Sequence, residues 1–197
     1  MLSFDGATHA YTVNNRRLPS VTQVMDSTVT NYAGIPPAVL EYKSELGRAV
    51  HVACELYDND DLDESTIDPL VLPYLNAWKQ FISETGFVVQ ENELPLHSDK
   101  YRYAGTLDKF GELGGDFALV DLKTVTVLSP ATGIQLAGYE QLLREHFKLR
   151  HSVPRYAVQL RPDGTYRMQK YDDPNDFAVF LACLQINNFK VKHGYKS

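Results

Sequence analysis

Cysteine is scarce in this chain of 197 residues: Cys54 and Cys183 are the only two. Two thiols are too few for a disulfide framework, a four-thiolate zinc site or a thiolate-held iron–sulfur cluster. A reducing, cytoplasmic environment is therefore expected. The N-terminus has no basic segment leading into an apolar run, and no uninterrupted apolar stretch reaches the roughly 18 residues of a membrane span. Neither a secretory leader nor a membrane anchor is expected. Internal repeats, low-complexity runs and linkers are also lacking, which leaves no point at which to divide the chain. Bulk positive charge is missing as well: 19 Lys and Arg stand against 25 Asp and Glu, a formal net charge of −6. Taken alone, that balance speaks against a protein that coats nucleic acid or an anionic membrane. What is present is ordinary. With 44% hydrophobic and 22% charged residues, the chain has the composition of a soluble protein and the length of one domain, 1–197.

Residues 1–30 hold short β-prone pieces, Tyr11-Thr12-Val13 and Pro19-Ser20-Val21-Thr22, on either side of an Asn14-Asn15 turn signal, and predict a β-arm or hairpin. A helical segment covers about 36–85. Pro36-Pro37 opens its first helix, through about Tyr57, with Val39, Leu40, Leu46, Val50, Ala53 and Leu56 as the apolar stripe. An acidic loop occupies 55–68. A second helix runs from Leu70 to Glu84, with Gly86 as its stop. Beyond Gly86 the pattern turns to strands: Phe87 to Leu96, Tyr101 to Phe110 and Phe117 to Val127, predicted as three antiparallel strands. A helix over Thr132 to His151, a hairpin of Arg155–Leu160 with Tyr166–Tyr171, and a helix over Asp173 to Lys192 complete an α/β order.

The chemistry concentrates in Tyr103-Ala104-Gly105-Thr106-Leu107-Asp108 and Leu119-Val120-Asp121-Leu122-Lys123-Thr124. On a strand, residues two apart share a face, so Asp121 and Lys123 project together. Pairing through the intervening glycine turn places Asp108 across from them, and two acids with one lysine then converge where a divalent cation can bind. Chance alone supplies about one acid-x-lysine match in a chain of this composition. Glu41-Tyr42-Lys43 is such a match, but it falls in a predicted helix, where residues two apart do not face each other. Two further elements accompany these in chain order. Gly47-Arg48-Ala49-Val50-His51 puts a histidine on the first long helix, with Glu55 four residues on, and Gln135-Leu136-Ala137-Gly138-Tyr139 puts two hydrogen-bonding side chains four apart on the helix after the strands.

Blander readings exist for each. A lone His51 is more often a surface or satisfied core histidine, and only its position before the acid-rich sheet favours a ligand. Glu91 and Glu93 fall on one strand face as solvated residues or metal-site members, with Glu93 the preferred candidate. Glu55 reads as the start of the acidic loop. Gly111, Gly114 and Gly115 lack the spacing of a dinucleotide loop and read as a hairpin turn. Cys54 reads as a small hydrophobe and Trp78 as core. Tyr101, Tyr103, Tyr156 and Tyr166 read mainly as packing residues, with base stacking the lesser alternative.

Taken in order, Leu18 to Thr22, Gly47 to His51, Trp78 and Phe81, Glu93, Tyr103 to Asp108, Asp121 to Lys123, Gln135 to Tyr139 and the late hairpin span nearly the whole chain. In this arrangement the sequence resembles the PD-(D/E)xK nuclease superfamily, within it the RecB-type and phage-exonuclease branch, and is similar to mitochondrial genome maintenance exonucleases. Thr106-Leu107-Asp108 stands where the literal proline–aspartate pair would be. The resemblance implies a restriction-endonuclease-like α/β core, a central mixed sheet flanked by helices. It implies metal-dependent DNA hydrolysis by an exonuclease of replication, recombination or repair, in a bacterial or phage-infected cell. By it, His51, Asp108, Asp121 and the backbone carbonyl of Leu122 would bind one or two Mg²⁺ or Mn²⁺ ions. Lys123 would be the catalytic lysine beside Asp108 and Asp121, and Gln135 and Tyr139 would hold DNA near the scissile phosphate. Single- or double-stranded DNA ends would be the substrate, with a recombination or single-strand-binding protein as a candidate partner. A structure-selective or restriction-type endonuclease, or an inactive DNA-binding module on the same fold, are the alternatives.

The net charge fits this reading once it is divided along the chain. Residues 55–68 carry seven acids and no Lys or Arg, so the remainder sums to +1. Residues 144–170 hold seven basic residues against two acids. That segment, with Arg150 and Arg155 as its candidate contacts, is expected either to track a phosphate backbone or to be plain solvated surface.

Overall fold

The N-terminal thirty residues form a three-stranded antiparallel meander and a short helix in the computed structural model, which describes residues 2–6, 8, 10–30 and 34–195. Strands β1 (Leu2–Asp5), β2 (Ala10–Val13) and β3 (Arg16–Leu18) pair in order. Asn14 and Asn15 both take positive φ, 50° and 60°, as a tight two-residue hairpin turn requires. The Pro19–Thr22 piece is not the strand its composition predicts. Ser20 and Gln23 form a reciprocal capping box that opens helix α1 (Val21–Asp26), and the local cap outweighs the β propensity of Val21 and Thr22.

Helix α2 (Pro37–Asp58) starts behind its proline as predicted. Its fully buried apolar residues are Val50, Ala53 and Cys54, with Leu46 packed beside them, while Val39 and Leu56 are exposed, so the predicted stripe engages the core only in part. Helix α3 (Leu72–Thr85) ends at Gly86 in the left-handed region, φ 67°. A five-stranded sheet comes next: β4 (Val88–Ser98), β5 (Tyr103–Leu113) and β6 (Asp116–Lys123), then helix α4 (Pro130–Phe147), β7 (Arg155–Leu160), β8 (Tyr166–Lys170) and helix α5 (Asp176–His193). The strand order is β4-β5-β6-β7-β8, antiparallel except for β6 with β7, which is the mixed α/β sheet expected.

The sheet has a core on each face. One side buries Leu107, Phe110, Leu119 and Ala157 against Val21 and Val24 of α1, Leu136 and Leu143 of α4 and Phe180 of α5. The other buries Val120, Leu122 and Val158 against Val50 of α2 and Leu75, Trp78 and Phe81 of α3. Among the described residues no helix is long and apolar enough to cross a membrane.

The middle of the sheet is split along part of its length. β5 and β6 are zipped from Leu113–Asp116 only as far as Lys109–Val120. Beyond that rung they part, and Pro19 takes the vacated edge of β5 by accepting the Ala104 N–H at 3.0 Å.

Candidate active site

The parting of β5 and β6 leaves the backbone of Leu122 without a strand partner on one side, and side chains fill that role. Its N–H donates to Asp108 Oδ2 at 2.7 Å, and its carbonyl lies 3.2 Å from His51 Nε2. Asp108, buried on β5, and His51, near the middle of α2, are thereby drawn to one point although 57 positions separate them in the sequence. Glu93 joins them from β4. An extra residue bulges this strand between Val89 and Glu91, and Glu93 itself has φ 44° in mid-strand. That conformation costs a non-glycine residue of order 1–3 kcal/mol.

His51 Nδ1 lies 3.5 Å from Glu93 Oε1 and 3.6 Å from Asp108 Oδ1. One donor atom from each of the three residues falls within 4.8 Å of the others. Glu93 Oε1 is buried and accepts no hydrogen bond. A buried carboxylate oxygen left in this state, beside a second carboxylate and an imidazole, fits a hard or borderline divalent cation. Both ring nitrogens of His51 face acceptors, so the imidazolium is the form that suits the geometry. Burial alone would lower its pKa, but Asp108 and Glu93 prevail and push it up to about 9. A metal ion on Nδ1 would replace that proton.

Asp121 and Lys123 project to the same face of β6. The ammonium of Lys123 lies 2.7 Å from Asp121 Oδ2, side-on and outside hydrogen-bond geometry, and donates to Gln135 Oε1 of α4 at 2.9 Å. Burial pushes the Asp121 carboxyl up to about 6, partly relieved by Lys123 and reinforced by Asp108. Burial likewise raises Asp108, with His51 opposing. Desolvation would lower Lys123, but Asp121 and Asp108 outweigh it and hold the ammonium above its ordinary range.

These groups open onto a cleft of about 660 Å³ lined by His51, Glu93, Asp108 and Lys123, by Arg48 and Glu55 of α2, and by Phe4 and Tyr11 of the meander. Tyr11 stacks on Phe4 at 4.6 Å and its hydroxyl is 2.7 Å from Thr106 Oγ1. The sequence pattern gives no hint of this aromatic wall, because it depends on where the meander lands. Gln135 reaches the cleft through Lys123. Tyr139 lies at its floor with its hydroxyl 3.5 Å from Gln135 Nε2, under Gly105, where a Cβ would come within 2.7 Å of the Tyr139 ring.

Several expectations are corrected. Arg155 is not available to a phosphate: it is buried, donates to the carbonyls of Gly133 and Asp173, and pairs with Asp176 at 3.1 Å. Arg150 is exposed but lies past the C-terminus of α4. That helix end is about 18 Å along the axis from Gln135, at the end of the sheet opposite Lys123, as the pairing of Leu119 with Arg155 shows. The acidic loop is not uniformly solvated, since Asp58 is buried against Lys109 and Glu64 pairs with Lys79. Tyr103 is core, donating to the Gly138 carbonyl at 2.8 Å. Burial pushes the Cys54 thiol up, which suits a packing role.

No protein-family model matches the sequence, and no curated protein matches it. Solved structures are similar to this one. A crystal structure from Eubacterium rectale, whose exonuclease assignment is provisional, aligns with a TM-score of 0.55 at 14% identity, over 91% of this chain and 83% of its own. An alkaline exonuclease from Laribacter hongkongensis aligns with a TM-score of 0.45 at 14% identity, over 89% and 88%.

Proposed function

We propose that this protein is a divalent-metal-dependent deoxyribonuclease, acting as an exonuclease that leaves 5′-phosphates. Mg²⁺ or Mn²⁺ would be held by His51, Glu93, Asp108 and Asp121, with the Leu122 carbonyl as a further donor. The observation that carries this reading is the convergence of the His51–Glu93–Asp108 donor set, with the His51 ring beside the buried Glu93 oxygen, in the same cleft as Lys123. When bound, the ion supplies Lewis-acid stabilisation of the phosphate and a deprotonated water at neutral pH.

The protein's own residues do the rest. Asp121 and Gln135 fix the Lys123 ammonium from two sides, at 2.7 and 2.9 Å, so that it presents a positive charge to the cleft without searching rotamers. There it orients the attacking water and offsets charge building on the phosphate oxygens. The water oxygen bonds to phosphorus as the P–O3′ bond breaks, and the departing oxygen takes a proton from solvent. Tyr139 braces Gln135, and the exposed Arg48 stands at the rim, where it can meet a neighbouring phosphate. The fold shared with the Eubacterium rectale structure is consistent with this chemistry.

The test is a time course on end-labelled linear DNA, single- and double-stranded, and on covalently closed circles, with Mg²⁺, Mn²⁺ or chelator. Metal-dependent shortening of linear DNA, with circles left intact, is the expected result. Cleaved circles would replace the exonuclease by an endonuclease, and equal rates in chelator would overturn the metal mechanism.

A further inference from the structure

Lys109 follows Asp108 on β5 but turns away from the cleft, toward Asp58 of α2 and Trp78 of α3. There its ammonium is fully buried and meets three groups. It pairs with Asp58 of α2 at 2.7 Å, donates to Asn92 Oδ1 of β4, and lies over the Trp78 ring at 5.7 Å. The second oxygen of Asp58 accepts the Trp78 Nε1–H at 2.8 Å.

The connections run in step with those of the centre. Asn92 immediately precedes Glu93, Lys109 immediately follows Asp108, and Asp58 lies seven residues after His51, two helical turns on and on the same helix face. The three segments that bring ligands to the cleft are thus tied behind it to a single ammonium. A buried ion pair is weak support for stability, since an apolar pair of similar shape often serves as well. Its geometric effect is specific: it fixes the separation of α2, β4 and β5 close to each ligand, at the adjoining residue on the strands and two turns on along the helix. It also braces the strand next to Glu93, whose φ of 44° needs its surroundings to hold it.

We infer that Asp58, Lys109 and Asn92 are positioning residues that set the spacing of His51, Glu93 and Asp108 and thereby the metal affinity of the centre. The inference rests on the proposed metal centre. It is tested by Mn²⁺ titration of the full chain, followed by calorimetry and by loss of the free Mn²⁺ electron paramagnetic resonance signal. Thermal melting in chelator is recorded alongside. The variants are Asp58→Asn/Lys109→Met, which removes both charges together, and Asn92→Ala, which keeps the ion pair and cuts the tie to β4 together with the Asn92–Asn59 bond. Glu64→Gln, which breaks the exposed pair with Lys79, is the control.

Both test variants should bind Mn²⁺ about tenfold more weakly, the usual loss when support behind a ligand is removed, and the control should bind as the wild type does. If the double variant does not fold, Asn92→Ala alone decides. Wild-type affinity within twofold in the folded variants, whatever their melting temperatures, would reduce the network to a structural ion pair and overturn the inference. A wild-type protein that fails to bind Mn²⁺ would instead overturn the metal centre itself, and the inference with it.

Discussion

Asp108 and Lys109 are neighbours on β5, yet they head two clusters of opposite character. Behind the strand, one ammonium faces one carboxylate, Asn92 and Trp78 supply the remaining bonds, and neither charged side chain is more than 1% exposed. In front, Glu93, Asp108 and Asp121 crowd around His51 and Lys123. Asp108 and Asp121 are raised in pKa by burial, and the group opens on a cleft. The first cluster is balanced and closed, as a structural ion pair must be to offset its desolvation. The second is left short of positive charge and reachable from solvent, which is the condition of a site that takes up a cation.

The sharpest way to break this contrast is to remove a charge from the front. Asp108→Asn should lower metal-dependent cleavage on the order of 10³-fold, while the metal-free protein melts no earlier than wild type, because a like charge has gone and the amide oxygen can still accept the Leu122 N–H. Earlier melting in calorimetry would mean that the front is held together by its acids. At the back the order reverses. Lys109→Met alone leaves Asp58 buried and unpaired, and should cost about 3–5 kcal/mol in urea unfolding. A loss below about 1 kcal/mol would show that water reaches Asp58.

Titration distinguishes the clusters next. Asp121 is raised from 3.8 to about 6, so its contribution to stability is present below pH 4 and is lost as pH rises through 6. His51 is raised from 6.5 to about 9, so its contribution is present below 6.5 and is lost as pH rises through 9. In chelator the melting temperature contribution of the front should fall in these two windows. The rise in melting temperature on adding Mn²⁺ should grow across the same windows, as protons leave the ligands. A Mn²⁺ effect independent of pH from about 5 to 9 would contradict the assignment of ligands. Smallest of all should be Asn59→Ala at the exposed fringe of the rear network, where its bond to Asn92 spans 3.2 Å. A change within about 0.5 kcal/mol is expected, and a larger one would extend the closed cluster outward to the end of α2.

How far each cluster can be read from sequence differs for the same reason. Strand alternation alone puts Asp121 and Lys123 on one face, and helix order puts His51 ahead of the sheet, because both rest on local periodicity. The α/β order comes from the same periods, whereas the mixed sheet follows only from the resemblance. Glu93 is harder to place, since its approach depends on a bulge and a positive φ that no residue in the Val88–Ser98 stretch announces. Lys109, Asp58 and Asn92 are invisible as a group. They meet only through tertiary packing, and Asp58 sits among acids that look like solvated loop. Arg155 misleads in the opposite sense, as a charge in a basic run reads as surface until Asp176 is found beside it.

The unzipping of β5 from β6 has one more consequence. Because the Leu122 amide donates to a carboxylate rather than to a strand carbonyl, its proton resonance should respond to the charge on Asp108 as neighbouring ladder amides do not. In a ¹⁵N-labelled sample that single cross-peak is a built-in gauge of the centre. It should move with a diamagnetic ion such as Mg²⁺ and with acid, while Val120, back in the closed ladder, stays in place.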